Sequence, residues 1–173
     1  DVVYKGLDDQ GSVFMCFGGS LGPAKDVKEI YKDKQMLNLL AELLNIRLRE
    51  VIREDKSGSY GVGVYSSVEN TPSREYHVMI EFGCEPVRQE ELKNEVLKQI
   101  EIVRKDLMKD EYITKLLETY KRDRETNLKD NGWLLSTLVT SDFFKELPDD
   151  VYTNGDYIPS FITKKNLRDY AAK

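Results

Sequence analysis

The sequence predicts an α+β fold: a two-layer sandwich in which an antiparallel sheet carries helices on one face. Three observations predict it. A short strand-like run near the N-terminus is followed by a long leucine-rich helical pattern. Two alternating runs then follow, separated by a turn, as in a hairpin. The remainder of the chain has helical periodicity. The order strand, helix, strand, strand is a split β-α-β-β start, and a sheet built this way buries one face under helices.

Residues 1–11 are polar and turn-like. Ser12 to Phe17 reads as the first strand, and Gly18-Gly19-Ser20-Leu21-Gly22-Pro23 as a loop, with Pro23 able to open a helix. From about Asp26 to Arg53, Met36, Leu39, Leu40, Leu43, Leu44, Leu48, Val51 and Ile52 recur at three- and four-residue steps. Such a helix is roughly 36 Å long and needs a large partner surface, for which a sheet face is suited. Lys56-Ser57-Gly58-Ser59 breaks it. Tyr60 to Val68 alternates, Asn70-Thr71-Pro72-Ser73 turns, and Glu75 to Phe82 alternates again with Tyr76, Val78, Ile80 and Phe82 in phase. Helices are predicted over Glu90 to Leu107, Asp110 to about Leu128 and Trp133 to Phe144. Leu147-Pro148-Asp149-Asp150 and Asn154-Gly155-Asp156 read as turns. Thr163 is the N-cap of a last helix reaching Lys173.

A chain of 173 residues fits one domain, here 1–173, with no repeat or linker. With 40% hydrophobic and 33% charged residues, the composition is globular. A net charge of −5, with both signs interspersed, argues against a nucleic-acid partner. No apolar run has the length of a membrane span. The chain starts at Asp1 rather than Met and has no signal-peptide pattern, so it reads as a piece of a larger or processed protein.

Most candidate sites have a bland explanation. The glycine loop at 18–22 lies where a phosphate loop would, but has neither the Gly-Lys-Ser/Thr ending nor the dinucleotide spacing. His77 and Glu81 fall in a strand, about 13 Å apart along it, too far to chelate one metal. Cys16 and Cys84 read as buried small hydrophobes, with a disulfide open to them if their strands are neighbours. Cysteine–histidine catalysis through Cys16 or Cys84 with His77 is formally available, yet nothing in the sequence orients these groups. The segment from Asp150 resembles a calcium loop but has Tyr152 and Phe161 where ligands are needed.

Arg53 and Tyr60 are the strongest pair. They flank the break between the long helix and the second strand. A guanidinium and a phenol at one rim can both donate hydrogen bonds to a carbonyl that gains negative charge. The phase of Tyr60 with Val62 and Val64 points it toward the helices, so it must lie at the rim of that face or be re-aimed by Gly58 and Gly61.

The run Leu48-Arg49-Glu50-Val51-Ile52-Arg53 … Gly58-Ser59-Tyr60-Gly61-Val62 resembles the insulinase/pitrilysin family of zinc metallopeptidases, specifically a domain of the C-terminal half. That family shows an Arg, six residues and a Tyr before a strand. The similarity extends to the first strand, the leucine-rich helix, the hairpin, Asn131-Gly132-Trp133 and the closing Ile162 to Ala172. The resemblance implies a clamshell of two halves. The N-terminal half holds zinc through an inverted His-x-x-Glu-His motif and a distal Glu, and the motif Glu is the base. The C-terminal half supplies Arg and Tyr, here Arg53 to hold the peptide backbone and Tyr60 to donate to the oxyanion. Partners so implied are the N-terminal zinc-binding half and an oligopeptide substrate. The implied compartment is a bacterial periplasm or cell envelope. The zinc motif is not in this chain, which alone is expected to be inactive. Relatives usually continue into another strand, so an edge of the sheet is expected to be open. The alternatives are a non-catalytic assembly module of the same fold and, more remotely, a small-molecule-binding domain.

Overall fold

The computed structural model describes residues 10–55, 61–143, 145 and 155–173, without the side chains of 53–55. Strand β1 (Gly11–Ser20) leads into helix α1 (Val27–Leu48), which continues as a π-helical turn over Arg49–Asp55. Strands β2 (Val62–Glu69) and β3 (Glu75–Cys84) form the hairpin. Helices α2 (Gln89–Lys105), α3 (Asp110–Asn127), α4 (Asn131–Asp142) and α5 (Lys164–Ala171) follow. The sheet order is β1-β3-β2, with both neighbours antiparallel to β3. β1 and β2 are therefore parallel, joined across α1, with β3 inserted between them. This is the split unit the sequence predicts.

Elements begin and end where caps dictate. The Asp26 carboxylate accepts from Glu29 N (2.8 Å), and Glu29 Oε2 accepts from Lys25 N (2.7 Å), fixing the start of α1. The Asp130 carboxylate accepts from Trp133 N, so α4 starts at Asn131 rather than Trp133. Thr163 caps α5 through Asn166 N at 3.1 Å, as expected. β1 is longer than predicted. Gly18, Gly19 and Ser20 pair with His77, Tyr76 and Glu75 instead of forming a loop. The reason is close approach: a Cβ on Gly19 would meet the Tyr76 ring at 2.9 Å. These glycines make room for a neighbouring side chain, and the phosphate-loop geometry does not arise.

Alternation along the strands gives the sheet a covered and an open face. Val13, Met15, Phe17, Val62, Val64, Val78, Ile80 and Phe82 face the helices. Two apolar clusters share this side. One joins Leu48, Ile52, Val62, Ile80, Phe82, Cys84, Leu92 and Val96. The other gathers α1 residues Tyr31, Met36, Leu39, Leu40, Leu43 and Leu44 with residues of α2, α3 and α5 and the turn before α5. Val64 and Ile100 pack against both. Helix α1 is thus enclosed by β2, α2, α3 and α5.

Polar contacts clasp the other end of the molecule. Arg74, beside the hairpin turn, donates to Asp33 Oδ2 (2.7 Å), to Gly22 O (3.2 Å) and to Asn70 Oδ1 (3.3 Å). Tyr170 of α5 donates to Asp33 Oδ1 at 2.7 Å. The Arg74 and Asp33 side chains are only 9% and 12% exposed. Removing one partner strands a buried charge. Asp33→Ala is expected to lower unfolding free energy by about 3–5 kcal/mol in urea titration. A loss below about 1 kcal/mol would show that this clasp does not hold α1, α5 and the hairpin together.

Candidate functional site

The sequence-predicted pair falls in the stretch between α1 and β2, of which the Arg53 backbone is described. Ile52 and Val62 sit in the same apolar cluster, so the chain leaves and re-enters the core at one place. The backbone of Arg53 belongs to the π-helical turn, not to a regular α-helix as expected. Widening the helix from i→i+4 to i→i+5 bonding changes the direction of each later side chain, and such turns occur often at functional sites. The Arg53 side chain and the whole of Lys56 to Tyr60 lie outside the described residues, as do the predicted turn at 147–150 and Asn154.

The turn before Arg53 is tied down. Arg47 donates to Gln99 Oε1 through Nε (3.1 Å) and through Nη2. Glu50 accepts from the Tyr112 hydroxyl (2.5 Å) and from Lys115 Nζ (3.2 Å). Burial first, and then the bond to Glu50, pushes the Tyr112 phenol up to about 12.

Beyond Gly61 the described residues present an open sheet face. Phe14, Cys16, Tyr65 and Met79 are exposed there, Phe14 at 64% and Tyr65 at 52%. Phe14 pairs with Glu81, and Glu81 pairs with Gly63, making one row across all three strands. The Tyr65 hydroxyl donates to Glu81 Oε1 at 3.0 Å. Its ring lies over Gly63, where an added Cβ would meet it at 2.7 to 3.0 Å. A hollow of about 340 Å³ results, lined by Phe14, Tyr65, Glu81, Gly61, Gly63 and Gly83 among others. The sequence reading passed over Phe14 and Tyr65 and took Glu81 only as a possible partner of His77. The signal was present in the phase opposite to Tyr76, Val78, Ile80 and Phe82.

Of the remaining candidates, Cys84 stands apart, while Cys16 and His77 share the open face and line one hollow there. Cys16 is exposed, contrary to expectation, because Val13, Met15 and Phe17 take the covered phase of β1. Cys84 is buried, and burial pushes its thiol up. Both cysteines are free. Cys16 pairs with Met79 and Cys84 with Gly11, so they lie on opposite faces and no disulfide bridges them. Cys84 and His77 are also on opposite faces, which removes that catalytic pair. His77 and Glu81 share the open face, four residues apart on one strand. Among the described residues no group of three or more His, Cys, Asp or Glu could hold a metal, and no helix is long and apolar enough to cross a membrane.

This fold, a three-stranded split sheet under a long enclosed helix, is shared with parts of known proteases. No protein-family model matches the chain. The chain is 26% identical over 149 residues to the probable zinc protease PqqL of Haemophilus influenzae, covering 82% of this chain and 15% of that protein. Among solved structures, the ferredoxin protease FusC, a point mutant in complex with Arabidopsis ferredoxin, superposes with a TM-score of 0.75 at 14% identity. It covers 97% of this chain and 18% of FusC. The periplasmic protease PqqL of Escherichia coli matches with a TM-score of 0.72 at 19% identity, over 95% of this chain and 18% of that chain. The first half of the same protease matches at 0.70 and 15% identity, over 94% of this chain and 36% of that one. The chain therefore has the fold of one domain of these proteases and spans less than a fifth of the full-length relatives.

Two measurements check this geometry. Native thiol labelling should modify Cys16 rapidly and Cys84 only after denaturation, because their exposure differs. Equal rates would contradict the assigned sheet phase. The raised Tyr112 pKa means its neutral form is favoured in the folded chain. That contribution is whole below pH 10 and is lost as pH rises through about 12. Tyr112→Phe should flatten the fall in stability over that window in denaturant titrations.

Proposed function

We propose that this chain is the substrate-clamping, oxyanion-stabilising domain of a zinc metalloendopeptidase that cleaves oligopeptides. The observation that carries this reading is the Arg53–Tyr60 spacing at the junction of α1 and β2, on a fold shared with zinc proteases. The first half of PqqL has a similar fold, so the Arg–Tyr spacing is what favours the C-terminal half. The description of Escherichia coli PqqL as periplasmic supports a periplasmic setting.

The described residues of this chain do not form a zinc site. In this reading the zinc and the general base belong to the N-terminal half of the same protein, which supplies the activated water. This chain supplies two donors. The Tyr60 hydroxyl donates to the carbonyl oxygen as it becomes an oxyanion. The Arg53 guanidinium binds an adjacent peptide carbonyl and holds the scissile bond in register. Both donors work best in a closed chamber, where low dielectric strengthens each hydrogen bond. The domain on its own is inactive in this account.

The test uses the full-length protein. Tyr60→Phe should lower kcat on an unfolded oligopeptide by about 10²–10³-fold with bound zinc unchanged. Arg53→Ala should act chiefly through KM. Unchanged cleavage in both variants would refute the catalytic assignment and leave an assembly role for the domain.

A further inference from the structure

The hollow beside Gly61 has the chemistry of a cation-binding pocket. Its walls are two exposed aromatic rings, Phe14 and Tyr65, and among the described residues its one charged lining group is Glu81. Glycines at 61, 63 and 83 keep it open. A Cβ on Gly61 would meet nothing within 4 Å, and one on Gly83 only the Gly11 carbonyl at 3.8 Å. Aromatic faces attract a cation through their quadrupole, and a carboxylate adds direct charge pairing.

The pocket is also preorganised. Glu81 Oε1 is held by the Tyr65 hydroxyl, while Oε2 has no hydrogen-bond partner among the described residues. The Tyr65 ring is fixed between that bond and the Gly63 backbone. An exposed aromatic locked in this way loses little entropy on binding. The surroundings agree in sign. On the open face no described strand residue is Lys or Arg; Glu81 lies at the hollow, while Glu69 and Glu75 lie at the hairpin end of the strands, about 20 Å away.

We propose that the Phe14–Tyr65–Glu81 hollow is a specificity subsite that takes a lysine or arginine side chain of the peptide substrate. This rests on the peptidase reading above, since Gly61 links the hollow directly to Tyr60. An extended peptide crossing the junction of α1 and β2 would place a basic side chain between the two rings, its charge against Glu81 Oε2. The neighbouring exposed residues Cys16 and Met79 extend the surface as an apolar shelf for the next side chain on the same face.

The experiment uses the full-length protein and three series of fluorogenic decapeptides that differ only in carrying Lys, Leu or Glu at each position in turn. At one position the wild-type protein should favour Lys over Glu by about tenfold or more in kcat/KM. In Glu81→Lys that preference should invert, and in Glu81→Gln it should approach unity. Phe14→Ala should reduce it without inversion. Thermal melts of each variant check folding. A Lys-to-Glu ratio unaltered by Glu81→Lys would overturn the subsite. An equal fall for all three series would mark the face as a contact with the other half, and would also overturn it. The catalytic reading is judged separately, because Tyr60→Phe must slow all three series alike.

Discussion

The enclosure of α1 is the constraint on which the rest of the structure depends. A helix of Val27–Leu48 meets β2, α2, α3 and α5 around its circumference. Leu43 and Leu48 are fully buried, as is Ile52 in the turn beyond. Each such side chain contributes roughly 1.5–3 kcal/mol relative to exposure. The exposed pairs of Glu101 with Arg104 and Lys105 are screened by water and contribute little. Burial of this leucine-rich stripe therefore sets the rotation of α1 about its axis. That rotation fixes Ile52 in the same cluster as Val62 and so fixes where the segment between them begins and ends.

The two faces of the sheet differ in chemistry. The covered face is aliphatic and continuous with the core. The open face keeps aromatic, sulfur-containing and acidic side chains in water, with Phe14, Tyr65 and Glu81 toward the end where β2 begins. Strand alternation makes this division automatic, because neighbouring residues on β1, β2 and β3 point opposite ways. The clasp of Asp33, Arg74 and Tyr170 lies at the other end of the molecule, where the hairpin turn and α5 meet α1. One end is thus bound together by buried polar contacts while the other presents a hollow.

Much of this was legible in the sequence where periodicity carries the information. The leucine spacing from Met36 to Ile52 marked the central helix, and Tyr76, Val78, Ile80 and Phe82 marked β3 and its covered face. What was not legible depends on partners distant in sequence. Gly18 and Gly19 looked like a loop because their strand mate, Tyr76 with His77, lies far along the chain. The π-helical turn kept the apolar spacing of an α-helix, so Val51 and Ile52 gave no sign of it. Nothing in the helical spacing marks Asp33 as buried, because its partners Arg74 and Tyr170 lie far along the chain. Cys16 could have been assigned to the open face from the phase of Val13, Met15 and Phe17. Arg53 and Tyr60 are a sequence pattern that falls between α1 and β2.

A crystal structure of the full-length protein with a phosphonamidate peptide, which mimics the tetrahedral intermediate, tests the account most directly. The account predicts the Tyr60 hydroxyl within about 3 Å of a phosphoryl oxygen. It also predicts the Arg53 guanidinium on a neighbouring peptide carbonyl. A ring of Tyr60 packed among the helices, or an Arg53 turned away from the peptide, would contradict it.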